Sequence, residues 1–223
     1  MTATRLWRKL WAGDAARKSR LHDEMGRMVS PGLLLRHAPQ AVGGALLRRT
    51  TGRLPERPWI SYEAQNAIAR LCATRPVRML EFGSGQSTLW YARRTAELIS
   101  IENDRGWHRH LAPKLAGLEK VEYRLARNRA EYAKPEVEGQ FDVIMIDGAW
   151  RDACARFATA HLAPGGAIYL DNSDKGAGGA SGDVPRARAL LIDFAEASGL
   201  PWREITDFAP AQAFVQRGLM VGG

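Results

Sequence analysis

The chain has 223 residues and a net charge of +8, a length that fits one α/β domain with an appendage and is too short for two ordinary domains. Its two cysteines, Cys72 and Cys154, support neither a disulfide framework nor a thiolate metal site, and they favour a reducing, cytoplasmic compartment. The apolar stretch over residues 41–47 is interrupted by glycines and is far below the roughly 20 residues that a membrane-spanning helix needs.

The positive charge is concentrated at the N-terminal end of the chain. Residues 1–57 contain 12 Lys and Arg against 4 Asp and Glu, whereas the remaining residues carry 20 of each sign. A basic surface built for nucleic acid usually surrounds the active site, so this asymmetry indicates an attached interaction segment instead. We therefore predict a basic helical N-terminal arm and linker over residues 1–57, followed by a single domain over residues 58–223.

The arm begins with an apolar pattern at helical spacing. Leu6, Trp7, Leu10 and Trp11 lie among Arg and Lys residues, which predicts a basic amphipathic helix. Such a helix either lies on an anionic membrane surface, peripheral to the inner membrane, or packs against the domain or a second subunit of a homodimer. Nucleic acid is a weaker alternative, because no stacking platform accompanies the arm. The prolines and glycines over residues 31–58 predict short helices and a linker.

Apolar runs and helical periodicity alternate through the rest of the chain. Near-continuous apolar runs at 143–146 and 167–170 are typical of parallel strands that are covered on both faces. The last two predicted strands are close enough in sequence to form a hairpin. The predicted helices are 62–73, 87–94, 107–115, 152–162 and 184–197, and the predicted strands are 77–82, 98–102, 121–125, 141–147, 167–171, 202–208 and 213–221.

The first predicted strand and helix are joined by a glycine turn, which is the most informative motif in the chain. Gly83 and Gly85 follow the strand at 77–82, and two glycines so spaced let the backbone turn sharply and approach a ligand closely. The next strand ends in Glu102, about 20 residues farther on, where an acidic side chain can accept hydrogen bonds from a ribose diol. Together these features predict a site for a nucleoside cofactor.

Thr88 discriminates between nucleoside cofactors. It occupies the position at which a dinucleotide-binding turn has its third glycine, which packs helix and strand around a pyrophosphate. Without that glycine, S-adenosylmethionine fits better, since its amino-acid end needs backbone donors and a carboxylate such as Glu81.

With this turn, the chain resembles the class I S-adenosylmethionine-dependent methyltransferases from residue 59 to the C-terminus. The segments that carry the resemblance are 81–88, 100–103, 141–148 and 162–174. Residues 58–64 and the run Asp171-Asn172-Ser173-Asp174 are further similar to a bacterial methyltransferase group of largely undefined acceptors. The resemblance implies a Rossmann-like methyltransferase fold, that is, a doubly wound, mostly parallel seven-stranded sheet ending in an antiparallel hairpin.

Ligands of such sheets bind beyond the carboxyl ends of the strands. The resemblance also implies that residues after the third strand contact the adenine ring. The candidate cofactor-binding residues are Glu81, Gly83, Ser84, Gly85, Ser87, Thr88, Glu102, Asn103, Arg127 and Asp147.

Polar residues after the fourth and fifth strands are the candidates for catalysis. Asp147 ends one strand, and Asp171 and Asn172 end the next, so we expect their oxygens to converge as a set suited to Mg²⁺ or Ca²⁺. This arrangement resembles the metal-dependent catechol-type O-methyltransferases, although Trp150 stands where that family has a lysine. The proton acceptor is then Asp147, Asp171 or Lys175. Direct contact of Asp147 with the ligand, without a metal, is the alternative.

The acceptor is predicted by elimination. Asp147-Gly148-Ala149-Trp150 lacks the two prolines that follow an Asn or Asp in enzymes that methylate the amino groups of bases, which favours oxygen acceptors. We predict O-methylation of a small-molecule, glycan or lipid-linked hydroxyl. The alternatives are an aminopropyl transferase of the same fold, which needs an acidic pocket that is not apparent, and a non-catalytic cofactor-binding scaffold recruited by the basic arm.

Overall fold

The computed structural model describes residues 12–52, 55–176 and 182–223. Within these ranges there are seven helices: α1 Pro31–Thr51, α2 Tyr62–Thr74, α3 Gln86–Ala92, α4 Arg105–Leu115, α5 Arg129–Ala133, α6 Arg151–His161 and α7 Asp183–Ala197. The strands are β1 Arg78–Phe82, β2 Glu97–Glu102, β3 Val121–Leu125, β4 Phe141–Ile146, β5 Leu162–Leu170, β6 Trp202–Phe208 and β7 Val215–Gly222.

All seven strands belong to one sheet, in the order β3-β2-β1-β4-β5-β7-β6. The first five are parallel, and β7 runs antiparallel to both β5 and β6. The predicted fold class, a doubly wound and mostly parallel sheet with a final antiparallel hairpin, is confirmed. Because side chains alternate along a strand, β1 contributes Leu80 and Phe82 to the core on one face and Met79 to the core on the other.

The predicted helices and strands after residue 58 are present, with shifts of a few residues at most of their ends. β5 is the largest difference, because it begins at Leu162, whereas the predicted strand begins at residue 167. Its pairing with β4 changes register between Phe141 and Val143, which accommodates the extra residues. The short helix α5 was not predicted.

The prediction of short helices and a linker before the domain is wrong, because residues 31–51 form one continuous helix. α1 begins at the N-cap Ser30, has Pro31 in its first turn and ends at Gly52, whose φ is 67° and whose N–H donates to the carbonyl of Arg48. Pro39 lies inside it. Helix propensity alone does not account for such a helix; its packing against β6 does.

The segment that precedes α1 is hydrogen-bonded to the hairpin of β6 and β7. The fully buried Asp23 accepts hydrogen bonds from Arg217 Nε at 2.8 Å and Thr206 Oγ1 at 2.7 Å, and the N–H of Val215 donates to the carbonyl of Arg20 at 3.0 Å. The described part of the N-terminal segment therefore packs on the sheet. The division at residue 57 stays a prediction.

One earlier prediction falls on residues that the structure does not describe. The amphipathic helix with Leu6, Trp7, Leu10 and Trp11 lies outside the described residues. Among the helices of the three described ranges, none has both the length and the hydropathy to cross a membrane.

Candidate functional site

A cleft of about 260 Å³ lies at the carboxyl ends of β1, β2 and β4, where α/β sheets bind ligands. A larger depression, of about 480 Å³, lies at the amino ends of β1 and β2. α/β sheets do not usually bind their ligands at that edge. Seven of the ten predicted cofactor-binding residues line the cleft; Glu81, Thr88 and Arg127 do not. Its wall is formed by Trp59, Gly83, Ser84, Gly85, Gln86, Ser87, Glu102, Asn103, Trp107, Asp147 and Gly148.

Gly83 and Gly85 of the turn are glycines for different structural reasons. Gly83 has a φ of 94°, and a Cβ there would lie 2.6 Å from the Cα of Gly148, so no other residue fits. Gly85 has an extended backbone, and the nearest atom to an added Cβ would be Ser87 Oγ at 3.4 Å. The packing of the chain therefore requires glycine at position 83 only, whereas Gly85 leaves room on the wall of the cleft.

Glu81 lies beneath the turn, fully buried. Its carboxylate accepts hydrogen bonds from Ser87 Oγ at 2.9 Å, Thr88 Oγ1 at 2.6 Å and Ser100 Oγ at 2.6 Å. Burial raises the pKa of Glu81 to about 7, and the three hydroxyl donors oppose this rise. Glu81 thus supports the turn from behind, and a direct contact with a cofactor stays a prediction.

Thr88 has a structural role at the position of the missing third glycine. Its buried hydroxyl accepts a hydrogen bond from the N–H of Gly85 at 2.9 Å and donates to Glu81. The side chain therefore connects the glycine turn to the carboxylate beneath it.

Glu102 fastens the turn to the end of β2. One carboxylate oxygen accepts from the N–H and the hydroxyl of Ser84, at 3.2 and 2.8 Å, and the other accepts from the N–H groups of Asn103 and Asp104, both at 2.7 Å. Trp107 also contacts the turn, because its Nε1 donates to the carbonyl of Ser84 at 2.8 Å. Donors thus hold the carboxylate against the cleft in a single orientation.

Arg127 lies apart from the cleft, on the exposed turn after β3. Its N–H donates to Glu131 Oε2 at 2.8 Å, and Asn128 then caps α5. The structure does not bring Arg127 together with the other candidates.

Asp147 and Asp171 come together at the ends of β4 and β5, where their carboxyl groups lie close enough to affect each other's pKa. Burial raises the pKa of both carboxyls, and the charge of Asp147 raises that of Asp171 further. Two carboxylates in such contact do not both ionise readily, so the pair retains a proton that a single Asp would lose. Lys175, exposed in the next turn, lowers the pKa of Asp147 through its charge.

A guanidinium group connects the two strand ends. Arg151, nearly buried, donates from Nε to the carbonyl of Gly148 at 3.0 Å and from Nη1 to the carbonyl of Asp171, and its Nη2 lies 3.3 Å from Asp147 Oδ1. The positive charge that a divalent ion would supply to Asp147 is therefore already provided by the chain.

The structure does not support the predicted Mg²⁺ site at Asp147, Asp171 and Asn172. Within residues 12–52, 55–176 and 182–223, no group of three or more His, Cys, Asp or Glu side chains is placed to bind a metal ion. Asn172 adopts a left-handed conformation with a φ of 48°, and its carbonyl accepts from the N–H of Lys175 at 3.0 Å. The structure thus gives no support to a divalent cation at these residues, and no step below depends on one.

Sequence analysis missed two contributors to the site. Trp59 lines the cleft from ahead of α2. Gln216, on β7, donates from Nε2 to the carbonyl of Trp59 at 2.7 Å and to Asp171 Oδ1 at 3.3 Å. Gln216 could have been noticed as a polar residue within a predicted strand, because a buried amide there needs hydrogen-bond partners.

Comparisons with known proteins identify the fold. No protein-family model matches the chain, and no curated protein matches it. The O-methyltransferase TomG from Streptomyces achromogenes, solved in complex with SAM, is 22% identical over 83% of this chain and 89% of TomG, with a TM-score of 0.55. An O-methyltransferase from Bacillus cereus in complex with SAH is 19% identical over 82% of this chain and 90% of its own, with a TM-score of 0.56.

A third similar structure is the N-methyltransferase NodS from Bradyrhizobium japonicum, 15% identical over 72% of this chain and 94% of NodS, with a TM-score of 0.54. These proteins methylate different kinds of atom, so at such identities the likeness establishes the fold and leaves the acceptor open. The resemblance predicted from the sequence is confirmed at this level: the chain has the fold of the class I S-adenosylmethionine-dependent methyltransferases.

Proposed function

We propose that this protein is an S-adenosylmethionine-dependent methyltransferase that acts on a hydroxyl oxygen of a small-molecule, glycan or lipid-linked acceptor. The observation that carries the proposal is the cleft in which the turn at Gly83, the carboxylate of Glu102 and that of Asp147 meet. Its cytoplasmic location and a homodimeric state stay predictions.

The cleft suits a nucleoside with an amino-acid tail. The carboxylate of Glu102 lies on the wall of the cleft, at the position where an acidic side chain accepts hydrogen bonds from the hydroxyls of a ribose. Its oxygens already accept four hydrogen bonds, so the ribose hydroxyls would take the places of the two Ser84 donors. Trp107 lines the same wall and offers a face to an adenine ring. Thr88 occupies the position whose side chain a pyrophosphate-binding turn has to omit, which argues against NAD.

The reaction is an in-line displacement, for which the protein has to hold the acceptor oxygen close to the methyl carbon and collinear with its bond to sulfur. S-adenosylmethionine supplies a methyl group on a positively charged sulfur that leaves as a neutral thioether. As the new C–O bond forms, the acceptor hydroxyl has to lose its proton. The ionised member of the Asp147 and Asp171 pair is the proposed proton acceptor, because its raised pKa makes it a stronger base than an exposed Asp.

The cofactor assignment is tested by calorimetric titration with S-adenosylmethionine, S-adenosylhomocysteine, decarboxylated S-adenosylmethionine and NAD. We expect Glu102→Gln to weaken S-adenosylhomocysteine binding by about tenfold or more, since hydrogen bonds to a charged group contribute about 1.5–3 kcal/mol. Glu97→Gln is the matched control, because Glu97 begins the same strand, pairs with Arg78 and lies away from the cleft. Preferential binding of NAD would refute the proposal, and preference for the decarboxylated compound would favour aminopropyl transfer.

The acceptor class is tested with methyl-labelled cofactor and a panel of hydroxyl, amine and thiol compounds. We expect label on oxygen, with the rate lowered by Asp147→Asn and unaffected by Asp142→Asn. Asp142 lies at the other end of β4, where it accepts from the N–H of Arg78 at 2.9 Å. Label found on nitrogen alone would contradict the oxygen assignment and leave the methyltransferase assignment intact.

A further inference from the structure

Helix α1 carries a row of apolar side chains on its solvent side. Leu35, Val42 and Leu46 have 79%, 48% and 62% of their surface exposed, and Pro39 is exposed between them. Their spacing places all four on one face of the helix. We call this set the outer row. Clusters of exposed apolar side chains of this kind mark interaction sites.

The opposite face of α1 holds the helix in place. Ala41 is fully buried, and His37 Nδ1 lies 2.8 Å from Asp207 Oδ2 inside the protein. Leu33, Leu34 and Ala38 pack in the same cluster with Phe208 of β6. The helix that carries the outer row is therefore already folded, so docking does not have to offset the conformational entropy that is lost when a helix forms.

The positive charge of α1 indicates which kind of partner the outer row fits. The helix contains Arg36, Arg48 and Arg49 and no acidic residue, and it lies in the part of the chain that holds the whole positive excess. Arg36 and Arg49 lie on either side of the outer row at helical spacing, and Arg48 stacks over Trp59 at 4.9 Å. Two copies of this face would bring four arginines together, Arg36 and Arg49 from each copy, which opposes self-association. An anionic surface is complementary to it.

We propose that the outer row of α1 docks this protein on an anionic phospholipid surface. The apolar side chains enter the boundary between headgroups and acyl chains, and the flanking arginines pair with lipid phosphates. This docking site is independent of the methyltransferase proposal. It also differs from the predicted amphipathic helix with Leu6, Trp7, Leu10 and Trp11, because it lies on a helix that packs on the sheet.

The test is flotation of the full chain with phosphatidylcholine vesicles that contain or lack phosphatidylglycerol. We expect the protein to bind the anionic vesicles alone. The double variant with Leu35→Glu and Leu46→Glu should bind them at least tenfold more weakly. Arg36→Gln and Arg49→Gln should each lower the affinity about fivefold. The matched control is Leu118→Glu, because Leu118 is an exposed leucine in the turn that precedes β3, at the opposite edge of the sheet. It should bind like the wild type.

Three results would overturn the proposal. The first is equal flotation with neutral vesicles, and the second is unchanged flotation of the double glutamate variant. The third is a wild-type dimer in sedimentation velocity that this variant converts to monomer, which would assign the face to a second copy. If circular dichroism shows that the variant is misfolded, hydrogen exchange of the wild type decides: protection of residues 35–47 by anionic vesicles supports the proposal, and its absence rejects it.

Discussion

The ionisation of Glu81 couples the glycine turn to pH. Its pKa is raised from an ordinary value of 4.5 to about 7 by burial, so the folded state binds a proton that the unfolded state has released. The stabilising contribution of this group is therefore present below about pH 4.5 and is lost as the pH rises through 7. S-adenosylmethionine carries an ammonium group, whose binding nearby would favour the ionised carboxylate.

We expect Glu81→Gln to remove part of the pH dependence of stability. Between about pH 4.5 and 7 the wild type should lose stability relative to this variant, which keeps a neutral side chain throughout. Thermal unfolding of both proteins across this range is the measurement. Parallel curves for the two proteins would show that Glu81 is ionised already at the low end of the range.

The two turn glycines separate folding from binding. Gly83→Ala should destabilise the protein by several kcal/mol, since its φ of 94° costs about 1–3 kcal/mol and its Cβ would overlap Gly148. Gly85→Ala should unfold within a few degrees of the wild type and lose S-adenosylhomocysteine affinity by tenfold or more, because the added methyl group stands on the wall of the cleft. Calorimetry and thermal unfolding measure both effects; undiminished binding by Gly85→Ala would mean that the ligand lies elsewhere.

Besides its apolar packing on β6, α1 is held by a buried polar contact with Asp207. Asp207 is fully buried and accepts from His37 Nδ1 at 2.8 Å, from the N–H of Glu63 at 3.0 Å and from its neighbour Phe208 at 2.8 Å. It thereby joins α1, α2 and β6. Removing one partner leaves a buried polar group without its hydrogen bond.

We expect His37→Ala to cost about 3–5 kcal/mol of unfolding free energy, as is usual when one member of a buried pair is removed. Arg70→Ala is the control, because Arg70 forms an exposed pair with Glu63 at 3.6 Å, and exposed pairs contribute about 0–1 kcal/mol. Urea denaturation gives both values. Equal effects of the two substitutions would show that the contact between His37 and Asp207 does not hold the helix.

For the whole molecule, the described N-terminal segment completes the core. Val29 and Ala41 share a buried cluster with Tyr62, Phe208 and Val215, and Asp23 pairs with the buried Arg217 at 2.8 Å. Removing residues 12–52 would uncover these apolar side chains and leave Arg217 without this partner.

We therefore expect a chain of residues 12–223 to fold and to bind S-adenosylhomocysteine, and a chain of residues 58–223 to aggregate or to lose most of its stability. Size-exclusion chromatography and thermal unfolding of both chains test this expectation. If residues 58–223 alone are monodisperse and melt like the full chain, the predicted boundary at residue 57 is a true domain boundary.

The sequence by itself was sufficient for the sheet and for the position of the cleft. Buried parallel strands such as β4 are read from continuous apolar runs, and polar residues that close those runs, such as Glu102 and Asp147, have to lie together at one edge of the sheet. Gly83 and Gly85 were visible for the same reason, because local backbone geometry depends on local sequence.

The tertiary structure alone decided the rest, because those features depend on contacts between distant residues. α1 contains Pro39, Gly43 and Gly44, which locally predict a linker, and packing on β6 overrides that preference. The sequence shows only that Trp150 replaces a lysine of the resembling family, whereas the three contacts of Arg151 at the ends of β4 and β5 place a guanidinium beside Asp147. No spacing in the sequence encodes such a contact, since its geometry follows from how the strand ends pack.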